Sequence, residues 1–214
     1  MSLRSLLAHA RVVERRVPLD AGEVRALGEL PKETARFAEK RLVEFLLGRH
    51  AAKAALASLG LDVGVLPIQA ERAPGWPVGI IGSITHCTGY AGAAVARASD
   101  LRGVGVDAQP VPDAKSRAAL QRTATDDEVA LLRLDDEMIG RTVAFSAKES
   151  LYNALAPTVG GYFGFEAARI TRADHGTAVL ELTRDLHPLL GAGSTFLVHY
   201  AVIDRVVYAA IEWR

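Results

Sequence analysis

Cysteine, net charge and long apolar runs are all scarce in this chain, and each shortage closes off a class of protein. A single cysteine, Cys87, among 214 residues leaves no intramolecular disulfide and fits a reducing compartment, so a cytoplasmic location is the expectation. Lys+Arg and Asp+Glu balance at 25 each. No global field therefore draws nucleic acid or an anionic membrane, and any anion site has to be local. There is no run of 18 apolar residues, and Arg4, His9 and Arg11 interrupt the Leu and Ala at the start, against a signal peptide. No period of 20–50 residues repeats, and no low-complexity tract or linker stands out. What is present is an ordinary globular composition, 50% hydrophobic and 23% charged, able to bury a core as one large domain or two small ones.

The turn-rich segment 70–77 reads as a loop leading into a strand over 78–81. Residues 32–59, after Pro31, carry apolar residues near helical spacing; Gly48 is expected to bend or divide this helix and Gly60 to close it. A strand follows over 103–107. Thr125-Asp126-Asp127-Glu128 suits a helix start. Residues 143–156 read as a helix ended by Pro157. Beyond it, segments 167–171 and 177–182 flank the turn Asp174-His175-Gly176, and 196–203 and 206–213 flank Asp204-Arg205. These are two hairpin signals. The pattern predicts an α/β protein of α+β type with a late antiparallel meander.

Three polar stretches interrupt this core-building pattern, besides the strand end Gly103-Val104-Gly105-Val106-Asp107-Ala108-Gln109-Pro110. Alternation puts Asp107 and Gln109 on one face, either as two metal ligands or as a polar turn. In the 41–53 stretch, Arg49 and Lys53 lie four apart, on one helix face; they can grip phosphates or form a solvated basic face. Gly82-Ser83-Ile84-Thr85-His86-Cys87 can converge N–H groups, hydroxyls and an imidazole on an anion, or be a simple turn. Cys87 reads as a small buried hydrophobe rather than a nucleophile. In Phe145-Ser146-Ala147-Lys148-Glu149-Ser150, Ser146 and Glu149 match a capping box. The alternative gives Glu149 a functional role beside Asn153, opposite the apolar stripe of Ala147, Leu151, Ala154 and Leu155.

One chemistry uses all four stretches. A carboxylate at a strand end and another on a helix can hold one Mg²⁺, whose remaining ligands are diphosphate oxygens and water. Arg49, Lys53, Ser83 and His86 would hold the other phosphates.

GSITHC, GVDAQP and FSAKESLYNAL, in this order, together resemble the 4′-phosphopantetheinyl transferases of the Sfp and enterobactin-synthetase type. RLVEFLLGRHAAKAAL resembles the upstream helix of that family, and PGWPVGIIGSITHC its enterobactin branch. The resemblance covers residues 36–160. It implies transfer of the phosphopantetheine arm of coenzyme A to a serine of an acyl or peptidyl carrier protein, with Mg²⁺, in a cytoplasmic enzyme for which a monomer suffices. By the same resemblance, Asp107 and Glu149 are Mg²⁺ ligands, with Gln109 a weaker one. Glu149 is also the base, and Lys148 lies beside the phosphates. Arg49 and His86 contact the coenzyme A phosphates, helped by Arg41 and Ser83. The implied fold is two similar α/β halves, 1–102 and 103–214, forming a pseudo-dimer with the active site between them and a join near 98–104. Two departures stand out: Gln109 where the family usually has Glu, and Asn153 where it usually has Lys. They favour the rival reading, a non-catalytic paralogue that binds coenzyme A or carrier proteins. A plain structural domain would explain each motif singly but not their order.

Overall fold

The computed structural model describes residues 2–16, 20–69, 73–113, 115 and 117–214. Two antiparallel sheets and two long helices organise them. The first sheet is three-stranded, from β1 (Arg11–Arg15), β2 (Ile80–Cys87) and β3 (Tyr90–Arg97), in the order β1-β3-β2. The second is five-stranded, from β4 (Gly103–Pro110), β5 (Ala168–Asp174), β6 (Thr177–Leu182), β7 (Thr195–Ile203) and β8 (Val206–Trp213), in the order β4-β8-β7-β6-β5. Short helices α1 (Ala21–Ala26), α3 (Arg117–Leu120) and α4 (Asp126–Leu131) accompany the long α2 (Glu39–Ala57) and α5 (Glu137–Val159). No helix among the described residues is long and apolar enough to cross a membrane. A mixed α/β protein with two sheets is thus what the sequence builds.

Both predicted hairpins form. His175-Gly176 turns β5 into β6, with Gly176 at φ +75°. Asp204 and Arg205 turn β7 into β8 at φ +50° and +58°, the left-handed pair that matches strand twist in a two-residue turn. Thr125 caps α4 in a capping box with Glu128.

Four readings of the sequence are corrected. The segment Gly82–Cys87 is not a loop after a strand but most of β2 itself. The helix expected from residue 32 begins as α2 at Glu39, after a 3₁₀ turn over Lys32–Arg36. It passes Gly48 unbroken, and that glycine instead leaves room for Ile84, 2.8 Å from where a Cβ would lie. The helix expected over 143–156 starts at Glu137, capped by Asp136, whose Oδ1 accepts from the N–H groups of Met138 and Ile139. It also continues past Pro157 to Gly160 at φ +70°; one missing N–H near a helix end costs little when a capping glycine follows. Of the loop expected over 70–77, residues 70–72 lie outside the described set.

Two apolar clusters pack the long helices onto strands, and a third joins the sheets. Ala51, Ala55 and Leu56 of α2 meet Ala93 and Val95 of β3. Ala147, Leu151 and Leu155 of α5 meet Leu180, Val198 and Ile211. A third cluster joins the two sheets, with Leu3, Tyr90 and Ala94 against Val104, Val106 and Tyr208.

Candidate active site

α5 packs its backbone directly onto the glycine face of β4. A Cβ on Gly105 would fall 1.9 Å from the carbonyl oxygen of Ser150, and one on Gly103 would fall 2.3 Å from that of Ala154. Only glycine lets the helix backbone approach this far. The next step along both elements brings Ser146 to Asp107, where its hydroxyl donates to Oδ2 at 2.5 Å. Two residues of strand are thus matched by four of helix, twice in succession across three pairs. Ser146 and Glu149 therefore stand in the middle of α5, and the capping-box reading fails.

The other edge of β4 faces β2 without a backbone ladder. Hydroxyls of β2 substitute for it: Ser83 Oγ accepts from the Val106 N–H at 3.1 Å, and Thr85 Oγ1 accepts from the Ala108 N–H at 2.8 Å. Thr85 also donates to Asp107 Oδ1 at 3.4 Å, and Asn153 Nδ2 donates to the Val106 carbonyl at 3.2 Å. Ser83 is thereby committed to the seam between the sheets, not held free for an anion as the sequence suggested.

Among the described residues no cationic side chain pairs with Asp107. Burial pushes its carboxyl up to about 6, against the opposing pull of Ser146, the Ala108 N–H and Thr85. Glu149 is pushed up to about 7, by burial first and then by the charge of Asp107. Among the described residues no ion pair reaches either carboxylate, nor do three or more His, Cys, Asp or Glu gather into a metal-binding group. Gln109, two residues along the same face, donates its amide to the Pro110 carbonyl at 3.4 Å.

His86 stands next to Thr85 on β2 and so faces the opposite way, toward α2. Its Nε2 lies 2.9 Å from Arg41 Nη1 and its Nδ1 3.8 Å from Glu44. Burial holds its pKa below the ordinary value, with Glu44 opposing and Arg41 adding to the effect. A neutral ring with Nε2 as acceptor fits those neighbours. Arg49, 6% exposed, lies 4.6 Å over the Phe45 ring and donates Nε to the Leu66 carbonyl at 3.1 Å. Its two Nη groups hold no hydrogen bond among the described residues. Burial, then the charge of Arg41, lowers its pKa to about 10. Arg41, Arg49 and His86 line one cleft of about 470 Å³. Ile84 and Pro74 border both this cleft and a second, of about 720 Å³, which Ser83 and Asn153 also line. Tyr152 borders that second cleft and a smaller apolar one of about 170 Å³ that contains Glu149.

Two predicted site lysines are engaged by other partners, although Lys148 lines the small cleft that contains Glu149. Lys53 donates to the Ala26 carbonyl at 2.8 Å and does not line the cationic cleft. Lys148, 5% exposed, pairs with Glu128 at 2.8 Å and donates to the Thr123 carbonyl at 2.9 Å. Glu128 in turn accepts from the N–H groups of Ile170 and Thr125. Burial opposes its ionisation, yet these donors hold its carboxyl below the usual range. Sequence reasoning missed three contributors: Thr85, Ser146 and Glu128. The first two had a signal, since hydroxyls alternate along β2 and the small residues Ser146, Ser150 and Ala154 recur every four along α5.

The sequence agrees with this geometry when set beside known proteins. Residues 30–96 match the 4′-phosphopantetheinyl transferase N-terminal domain, and residues 103–203 match the 4′-phosphopantetheinyl transferase superfamily. The chain is 38% identical over 159 residues to the 4′-phosphopantetheinyl transferase Svp of Streptomyces mobaraensis, covering 71% of this chain and 65% of that protein. It is 38% identical over 155 residues to the 4′-phosphopantetheinyl transferase PptT of Mycobacterium tuberculosis, covering 68% and 66%. With enterobactin synthase component D of Salmonella typhi it shares 37% over 142 residues, covering 62% and 55%. The chain thus spans just under two thirds of the first two relatives' length. Matches to both models, in order along one chain and over the elements that build the clefts, show that it belongs to the 4′-phosphopantetheinyl transferase superfamily.

Proposed function

We propose that this protein transfers the 4′-phosphopantetheine group of coenzyme A to a serine of an apo acyl or peptidyl carrier protein, releasing adenosine 3′,5′-bisphosphate. One observation carries the reading: adjacent residues of β2 face two different tasks. His86 faces the cationic cleft with Arg41 and Arg49, while Thr85 touches Asp107 of the carboxylate pair. A diphosphate laid across this strand would have cations on one side and carboxylates on the other.

The donor set fits Mg²⁺. Burial raises the cost of ionising both Asp107 and Glu149, and the charge of Asp107 adds to that of Glu149. Among the described residues neither has a counter-charge; a hard cation with two protein carboxylates takes its other ligands from phosphate and water. Asp107 and Glu149 would hold it, with the Gln109 amide a weaker ligand. When bound, Mg²⁺ supplies charge neutralisation on the diphosphate. Arg49 and Arg41 hold the phosphates of the nucleotide end, and neutral His86 adds a donor there. Glu149, poised near neutrality, takes the proton from the carrier serine directly or through water. The serine oxygen forms a P–O bond to the phosphopantetheine phosphorus as the bond to the bisphosphate oxygen breaks, and the electron pair leaves with the bisphosphate. Lys148 is read here as an anchor of α5 through Glu128, not as a phosphate ligand. We read the chain as two similar halves, 1–102 and 103–214, with this site between them and a monomer as sufficient.

The test is an intact-mass assay of purified protein with coenzyme A, Mg²⁺ and a panel of apo carrier proteins, beside a control without Mg²⁺. A Mg²⁺-dependent gain of one phosphopantetheine on any carrier is the expected result. Coenzyme A binding without transfer to any of them would instead mark a non-catalytic paralogue, the reading that Gln109 and Asn153 favour.

A further inference from the structure

We propose that Asn153 is a positioning residue for Asp107, an inference that rests on the metal-site reading above. β8 pairs one edge of β4 at Asp107, but the Val106 carbonyl and the Ala108 N–H, which flank it, point to the edge that has no partner strand and need side-chain partners there. Three side chains hold that edge here. Ser83 takes the Val106 N–H at 3.1 Å and reaches the Val106 carbonyl at the longer distance of 3.5 Å, Asn153 donates to that carbonyl at 3.2 Å, and Thr85 takes the Ala108 N–H at 2.8 Å. The Val106 carbonyl belongs to the peptide that leads directly into Asp107, so its orientation sets where the carboxylate stands. Ser83 and Thr85 act from β2. Asn153 alone acts from α5, the helix that also carries Ser146 and Glu149. It therefore ties the strand bearing one carboxylate to the helix bearing the other, and it does so between the Gly105 contact and the Ser146 hydrogen bond.

An Asn suits this task because its amide presents an N–H donor at short reach, without a charge next to the carboxylate pair. The role differs from that of a cation at this position, which would act on a phosphate. It also predicts something a phosphate-binding cation would not: metal affinity should respond to residue 153 with no coenzyme A present.

The experiment measures Mn²⁺ binding to the protein alone, by electron paramagnetic resonance, in wild type and in Asn153→Ala, Asn153→Ser and Asp107→Asn. Partners of metal ligands typically change affinity by about 10–100-fold when removed. The expected result is a loss of about tenfold in Mn²⁺ affinity for Asn153→Ala. Partial recovery is expected in Asn153→Ser, whose hydroxyl can donate over a shorter reach. Coenzyme A affinity without metal should stay within about twofold of wild type. Wild-type Mn²⁺ affinity in Asn153→Ala, or an equal loss in Ala and Ser variants that both melt like wild type, would overturn the assignment. If Asn153→Ala fails to fold, Asn153→Ser carries the same comparison against wild type. Failure of the transferase reading has a separate signature, namely absent transfer by wild type with the Mn²⁺ ranking preserved. Absence of any Mn²⁺ binding that depends on Asp107 would overturn the inference together with the metal site.

Discussion

Gly105 and Ser150 are in backbone contact: the space a Cβ on Gly105 would need is filled by the Ser150 carbonyl oxygen, 1.9 Å away. That oxygen is part of the helix ladder and has no flexible end to swing aside. Gly105→Ala is therefore expected to push α5 off β4 and separate Ser146 from Asp107. A cost of about 3 kcal/mol, the upper part of the range for overpacked cores, should appear in urea unfolding. Gly64→Ala, with nothing within 4 Å of its added methyl, serves as the control.

The carboxylate pair makes a pH prediction whose sign is fixed. Asp107 and Glu149 hold their protons to about 6 and about 7 when folded, against about 4 for unfolded carboxyls. The folded state thus binds more protons between those values. Their contribution is complete below about pH 4 and is lost as pH rises through 6 and 7. Asp107→Asn should raise the metal-free melting temperature at pH 8 while changing it little at pH 4.5. Mg²⁺ should stabilise wild type more at pH 8 than at pH 5.5, and stabilise the variant little at either. An equal effect of the substitution at both pH values would refute the pairing.

Arg49 offers free Nη groups to the cationic cleft, whereas Lys53 is engaged elsewhere. Arg49→Ala should raise the KM for coenzyme A about tenfold or more, the scale of a lost charge-assisted contact, with kcat changed far less. Lys53→Ala should leave KM within about twofold. Steady-state kinetics over coenzyme A concentration checks both, and a large effect at Lys53 would restore the phosphate role read from its spacing.

Lys148 and Glu128 form a buried pair, and removing one partner strands the other. Lys148→Met should cost about 3 kcal/mol, read by denaturant titration. Lys148→Met combined with Glu128→Gln should recover part of it. Transfer that returns with stability in the double variant marks Lys148 as an anchor. Regained stability without transfer would put its ammonium back at the phosphates.

How much of this was legible in the sequence depended on whether the determining contacts were local. The hairpins at His175-Gly176 and Asp204-Arg205 and the cap at Thr125 are set by neighbours in the chain, and the pattern located them. β2 was misread because its hydroxyls at Ser83 and Thr85 resemble loop chemistry. They are polar because they replace a missing strand partner on β4, a fact about a segment 23 residues away. Ser146 looked like a cap for the same reason, its true partner being Asp107, 39 residues back. The coming together of Arg41, Arg49 and His86 in one cleft agrees with the motif order. The partners of Lys53 and Lys148 were invisible, since spacing cannot show which carbonyl or carboxylate a lysine finds.

The four-to-two match between α5 and β4 has a geometric limit. Four helical residues rise about 6.0 Å, and two antiparallel strand residues about 6.8 Å. The two rulers slip by roughly 0.8 Å at every mark, like a vernier, and agree only over a short window. The pairs Ala154–Gly103, Ser150–Gly105 and Ser146–Asp107 occupy three consecutive marks, and Asp107 lies at one end of them. The placement of the carboxylate is therefore discrete. It moves by a whole mark or not at all, and one residue inserted between two marks in the strand or the helix alone would put the pairs on one side of it out of step with those on the other.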